Sequence, residues 1–123
     1  MSVVSIEGNH VVLDIYDGNE EKLNNPEYVV QALRDAAEAT GATVLKSEFV
    51  KFEGEGVTAF LILSESHISI HSWPSEKFAA FDIYTCGNCR TENAIEILVE
   101  KFEATKFHMG VIKRGSPIIK NNL

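Results

Sequence analysis

The chain is 123 residues long, 45% hydrophobic, with a mean hydropathy of −0.03, which describes one globular domain able to bury about two thirds of its unfolded surface. Eleven Lys and Arg against 18 Asp and Glu leave a net charge of −7, so no basic stripe exists to neutralise phosphates and a nucleic-acid or anionic-membrane partner is not expected. No apolar run reaches the ~18 residues of a membrane span, and Met1-Ser2-Val3 opens no signal peptide.

In chain order, Val11, Leu13 and Ile15 alternate with Val12, Asp14 and Tyr16 and predict a first strand ending at Asp17-Gly18. The polar stretch to Asn24 reads as a connection. Asn25-Pro26-Glu27 is a helix start, with a capping side chain, a fixed φ and an early carboxylate. Val29, Val30, Leu33, Ala36 and Ala37 form its apolar stripe, and Gly41 ends it. A second strand is expected over Thr43 to Phe52, and Glu53-Gly54-Glu55-Gly56 leads as a hairpin connection into a third. Phe78 to Thr85 is another strand, Thr91 a candidate cap for a second helix carrying Ala94, Ile97, Leu98 and Phe102, and Phe107, Met109 and Val111 alternate in a last strand. Gly115-Ser116-Pro117 begins a loose tail. Short links between the middle strands imply antiparallel neighbours. The fold class is therefore α+β: a two-layer α/β sandwich, mainly antiparallel, with two helices on one face.

The chain is organised around Val57 to Cys89. An apolar run, Ala59 to Leu63, changes abruptly to Ser64-Glu65-Ser66-His67, and Ile68 and Ile70 then alternate with Ser69 and His71. In one continuous strand Ser66 and His71 would face opposite ways. A break or hairpin near Glu65-Ser66 would let them meet. The polar cluster is either an ordinary turn or a backbone held under strain for chemistry.

The string LSESHISIHSWP, followed by FAAFDIYTCG, resembles the short bacterial and archaeal S-adenosylmethionine decarboxylase proenzymes. The likeness extends more weakly from Gly8-Asn9-His10 through Gly41-Ala42-Thr43 to the last strand. It implies self-cleavage between Glu65 and Ser66, which divides residues 1–123 into 1–65 and 66–123. Attack of the Ser66 hydroxyl on the preceding carbonyl gives an ester. Loss of the Ser66 Cα proton then expels the Glu65 carboxylate, and hydrolysis of the resulting dehydroalanine leaves a pyruvoyl group. The resemblance assigns His71 as the processing base, a task suited to an imidazole near neutral pH, and Thr58, where the family often carries a serine, as a hydroxyl that supports processing. The pyruvoyl ketone would condense with a substrate amine, and Cys86 would protonate the carbon that loses CO2.

For the substrate, the resemblance places Phe52 against an adenine ring. After HSWP the family usually carries a Glu that bonds ribose. Here Ser75 stands there, with Glu76 one place later. That departure keeps ornithine or arginine open beside S-adenosylmethionine as substrate; Asn9, where Arg is usual, is a lesser one. The resemblance implies a homodimer with shared active sites, and two cysteines three apart form no structural framework, which makes a reducing, cytoplasmic setting the default. Cys86-Gly87-Asn88-Cys89 separately suggests a thiol-disulfide oxidoreductase, although that reading leaves SESH unexplained. An inactive binding homologue is a further alternative. No metal site is expected, because one CxxC with scattered His10, His67, His71 and His108 lacks a second ligand pair. His67 and His108 read as packing or surface residues.

Overall fold

The computed structural model describes residues 6–115. Six strands form one antiparallel sheet: β1 (Gly8–Tyr16), β2 (Val44–Lys51), β3 (Val57–Leu63), β4 (His67–Trp73), β5 (Phe78–Cys86) and β6 (Lys106–Arg114), in spatial order β2-β3-β4-β5-β1-β6. β1, from the front of the chain, is therefore inserted between β5 and β6, from its back. The major helices α2 (Pro26–Thr40) and α3 (Thr91–Lys101) cover one face, and α1 (Glu20–Leu23) is a single turn before them. This is the two-layer α+β sandwich expected from the strand and helix order.

The sequence periods become faces. Val11, Leu13 and Ile15 of β1, Leu61 of β3, Ile68 and Ile70 of β4 and Ile83 of β5 point into the core, where Val29, Leu33, Ala37 and Leu98 of the helices meet them. Asn25 caps α2 by accepting from the Tyr28 N–H at 3.1 Å, and Gly41 closes it at φ 91°, which costs a glycine nothing. Ala32 replaces Val30 among the fully buried stripe residues, and Ile95 likewise replaces Ile97 in α3.

Several local expectations change. The connection before Asn24 contains α1, capped by Asn19, whose side chain accepts from the Lys22 N–H at 3.0 Å. Thr91 does not cap α3. It is the first helical residue, and its hydroxyl is buried in a 2.7 Å hydrogen bond with that of Thr85. Phe107, Met109 and Val111 stand on the core side of β6 yet remain exposed, because α3 packs over β1 and β5. The tail from Ser116, like Met1-Ser2-Val3, lies outside the described residues.

Among the described residues, the second face carries no helix. Phe60, Ile62 and Trp73 are 42%, 43% and 47% exposed there, alongside Val12 and Ile112. No helix among the described residues is long and apolar enough to cross a membrane.

Candidate active site

Strand alternation puts Thr58, His67, His71, Tyr84 and Cys86 on this open face, because their neighbours Val57, Ala59, Ile68, Ile70, Ile83 and Thr85 point into the core. The antiparallel register then separates them into two groups.

One group lies at the β3–β4 turn. The Leu63 N–H donates to the Ser66 carbonyl at 2.9 Å, and the Ser64 N–H to the Thr43 carbonyl at 3.1 Å. Glu65 is exposed and Ser66 half-buried. His67 pairs with Tyr84 across β4 and β5, and Cys86 lies two residues further along β5. Ser66, one residue outside β4, therefore shares the end of the sheet that holds Cys86. The Cys86 and Cys89 sulfurs are 3.1 Å apart. Gly8 lies opposite Cys86, and a Cβ there would come within 2.7 Å of the Tyr84 ring and 2.9 Å of the Thr85 carbonyl. The strand can pass so close only without a side chain.

His67 stacks on Phe60 at 5.0 Å and stands edge-on to Tyr84 at 5.8 Å. Burial, and after it the charge of His10, hold its imidazole below the usual range, with Asp82 opposing. It packs, as expected from the sequence, but at the centre of an aromatic cluster beside the turn. Behind it, Arg114 Nη1 lies 3.3 Å from His10 Nδ1, and His10 Nε2 lies 3.2 Å from Asp82 Oδ1. Arg can only donate, so when the His10 ring is neutral Nδ1 accepts and Nε2 carries the proton given to Asp82.

The other group sits near the far end of β4. Thr58 and His71 face each other across the ladder, with Thr58 Oγ1 2.9 Å from His71 Nδ1. If Nδ1–H donates to the threonine oxygen, the Nε2 lone pair is free to take a proton. The His71 ring lies 6.4 Å from that of Trp73. Beyond it, Ser75 donates to the Glu55 carboxylate from both its N–H, at 3.1 Å, and its hydroxyl, at 2.8 Å. Phe52, 49% exposed, opens the same hairpin loop, closed by its N–H bond to the Gly56 carbonyl. Asn24 anchors that loop by accepting from the Gly56 N–H at 2.9 Å. Glu76, also exposed, ends the short 3₁₀ turn Pro74–Glu76.

The hairpin at Glu65-Ser66 thus forms, but it does not bring Ser66 to His71. His71 pairs with Thr58 four residues beyond His67, about 13 Å along the strand. Sequence inspection also passes over Glu55, because a Glu in a Gly-rich connection carries no sign of its distant partner. The same holds for the His10–Asp82–Arg114 network, which is assembled from three strands. Among the described residues, no group of three or more His, Cys, Asp or Glu is placed to hold a metal ion.

A two-layer α+β sandwich with its polar chemistry gathered on the uncovered face of the sheet defines the structural class. The sequence profile of S-adenosylmethionine decarboxylase matches residues 9–115. The chain is 39% identical to the S-adenosylmethionine decarboxylase proenzyme of Methanococcus aeolicus over 112 residues, covering 90% of this chain and 96% of that one. It is 38% identical to the proenzyme of Thermococcus gammatolerans over 94% of this chain and 81% of that one. It matches the crystal structure of the adenosylmethionine decarboxylase of Aquifex aeolicus at TM-score 0.83 and 26% identity, covering 98% of this chain and all of that one. A Trypanosoma brucei AdoMetDC monomer shares the fold, at TM-score 0.62 and 15% identity over 84% of this chain and 45% of its own. The chain belongs to the S-adenosylmethionine decarboxylase family, whose members are pyruvoyl-dependent carboxy-lyases that make their cofactor by self-cleavage.

Proposed function

We propose that this chain is a self-processing S-adenosylmethionine decarboxylase that cuts itself between Glu65 and Ser66 and works as a cytoplasmic homodimer. The observation that carries the reading is the half-buried Ser66 at a hydrogen-bonded strand turn, at the same end of the sheet as Cys86, in a chain of this family. The Ser66 hydroxyl is the nucleophile toward the Glu65 carbonyl, His71 the base that takes the Ser66 Cα proton, and Thr58 the group that orients His71. The pyruvoyl group supplies an electrophilic ketone that accepts electrons from the departing carboxylate bond. Cys86 holds the proton returned to the product carbon.

The separation along β4 supports shared sites. The Ser66–Cys86 group of one chain and the Thr58–His71 group of the same chain lie near opposite ends of the strand. A second copy packed through the open face in the reverse sense would bring each group towards its complement. The exposed Phe60, Ile62 and Trp73 suit such burial.

S-adenosylmethionine is favoured as substrate over ornithine or arginine. The proenzymes of Methanococcus aeolicus and Thermococcus gammatolerans carry that activity in their names. Although Ser75 removes the usual carboxylate, Ser75 itself fixes the Glu55 carboxylate beside it. Phe52, on the same loop, offers an exposed ring for stacking on adenine.

Mass spectrometry of the denatured protein tests the cut. The wild type should give two fragments meeting at Glu65-Ser66, the second blocked by pyruvoyl, and Ser66→Ala one intact chain. An intact wild type after long incubation refutes self-processing. Co-expression of Ser66→Ala with His71→Ala tests the sharing. Ser66→Ala alone should stay uncut and His71→Ala alone should cut only slowly, whereas mixed dimers should cut the His71→Ala chain much faster by pairing its Ser66 with the other chain's His71. Absence of cutting in isolated mixed dimers rules out sharing.

A further inference from the structure

We propose that Cys86 and Cys89 form a redox-active dithiol whose oxidation to a disulfide withdraws the Cys86 thiol from the reaction and stops turnover. The inference rests on Cys86 acting as proton donor. Its geometric basis is independent of that role.

The two sulfurs are already 3.1 Å apart, closer than two non-bonded sulfurs normally approach. The backbone holds them there. The Cys89 N–H donates to the Cys86 carbonyl at 3.0 Å, closing a four-residue turn. Such a turn keeps its end Cα atoms within about 7 Å, overlapping the range in which a disulfide closes. Both ends of the turn are fixed: Cys86 terminates β5, and the Arg90 N–H donates to the Thr40 carbonyl at 3.1 Å. The Gly87 N–H is likewise tied to the Glu7 carbonyl at 2.9 Å. Gly87 and Asn88 at the tip are exposed and both sulfur-bearing residues are half-buried, so a small oxidant has access in the single chain.

The thiols are not equivalent. Burial first, and then the neighbouring Cys86, push the Cys89 thiol up to about 11, so Cys89 stays protonated near neutral pH and suits the second step of an exchange. With a low-molecular-weight disulfide RSSR as oxidant, the Cys86 thiolate attacks one sulfur, forms Cys86–S–SR and releases RS⁻. The Cys89 sulfur, losing its proton to solvent or to RS⁻, then displaces the second RS⁻ and forms the Cys86–Cys89 bond. Two protein thiols are oxidised and RSSR is reduced to two RSH. A reducing cell interior keeps the pair open and the enzyme active.

The test equilibrates the processed enzyme in glutathione redox buffers, alkylates the remaining thiols, and reads fragment mass and decarboxylation in parallel. Both alkylatable thiols of the second fragment should disappear together, with turnover falling roughly tenfold or more and recovering in dithiothreitol. Cys89→Ala should keep its activity when reduced and, when oxidised, take up one glutathione on Cys86 without an internal disulfide. Retention of both thiols in oxidised glutathione, or a stable glutathione adduct on the wild-type Cys86 with Cys89 still free, overturns the proposal. A disulfide that leaves turnover unchanged overturns the switch and with it the donor role of Cys86. A preparation that never decarboxylates refutes the functional reading, while the mass data still decide whether the thiols pair.

Discussion

Ser75 cannot accept hydrogen bonds as a carboxylate does, yet both of its donors are spent on one oxygen of Glu55. That leaves the second oxygen of Glu55 able to accept hydroxyl protons from a ligand lying against Phe52. Glu55→Gln should therefore raise the KM for S-adenosylmethionine roughly tenfold, about 1.4 kcal/mol, with kcat and self-cleavage nearly unchanged. Steady-state kinetics beside fragment masses will show whether the two effects separate. His71→Ala should slow processing by about a hundredfold or more, the usual contribution of a positioned base, as a time course of chain cutting measures. Thr58→Val should slow it less, because the imidazole remains but its Nδ1 partner is lost. At this scale the sequence was partly legible. Ser66, His71, Cys86, Thr58 and Phe52 are assigned by resemblance to a known family, which a run of sequence can carry, whereas Glu55 acts on a residue 20 positions away, a relation made by tertiary contact alone.

The β3–β4 hairpin concentrates the element-scale consequences, because it places His67 between Phe60 and Tyr84. At neutral pH both folded and unfolded chains hold a neutral imidazole there. Below the ordinary value of 6.5 the unfolded chain takes up a proton that the folded chain resists, so stability is lost as pH falls from 6.5 toward the lowered folded value. Denaturant midpoints of the uncut Ser66→Ala protein should drop through this window, and the drop should shrink in Ser66→Ala/His67→Phe. An unchanged slope would remove His67 as its source. In α2, Asn25→Ala removes the cap on the Tyr28 N–H and should cost about 1 kcal/mol in the same assay. The bounds of that helix were readable, from Asn25 through Gly41, because cap and stop are local signals, although Ala32 takes the place of Val30 in its buried stripe. α1 was not, since one turn is too short to show a period and is held by Asn19 and its packing. The role of Thr91 was misread for a related reason: capping propensity favours its hydroxyl at the helix end, but a buried partner, Thr85, claims it. Alternation likewise identified both faces of β4 without revealing that Thr58 is the residue opposite His71.

For the whole molecule, the sheet face that no described helix covers is the feature that the sequence order implies. Phe60→Asp with Ile62→Asp should give monomers by sedimentation equilibrium and, if sites are shared, leave the chain uncut. Cut monomers would dissociate assembly from processing. The strand order carries a separate consequence. A break at Glu65-Ser66 assigns β1, β2 and β3 to one fragment and β4, β5 and β6 to the other, and β1 makes both of its ladders with strands of the second fragment. Such pieces would be laced together and would remain joined after the cut. Once unfolded, however, they must find each other by diffusion, so recovery becomes second order in protein and its equilibrium midpoint depends on concentration. Maturation would thereby exchange a chain that refolds alone for a pair whose survival depends on never coming apart.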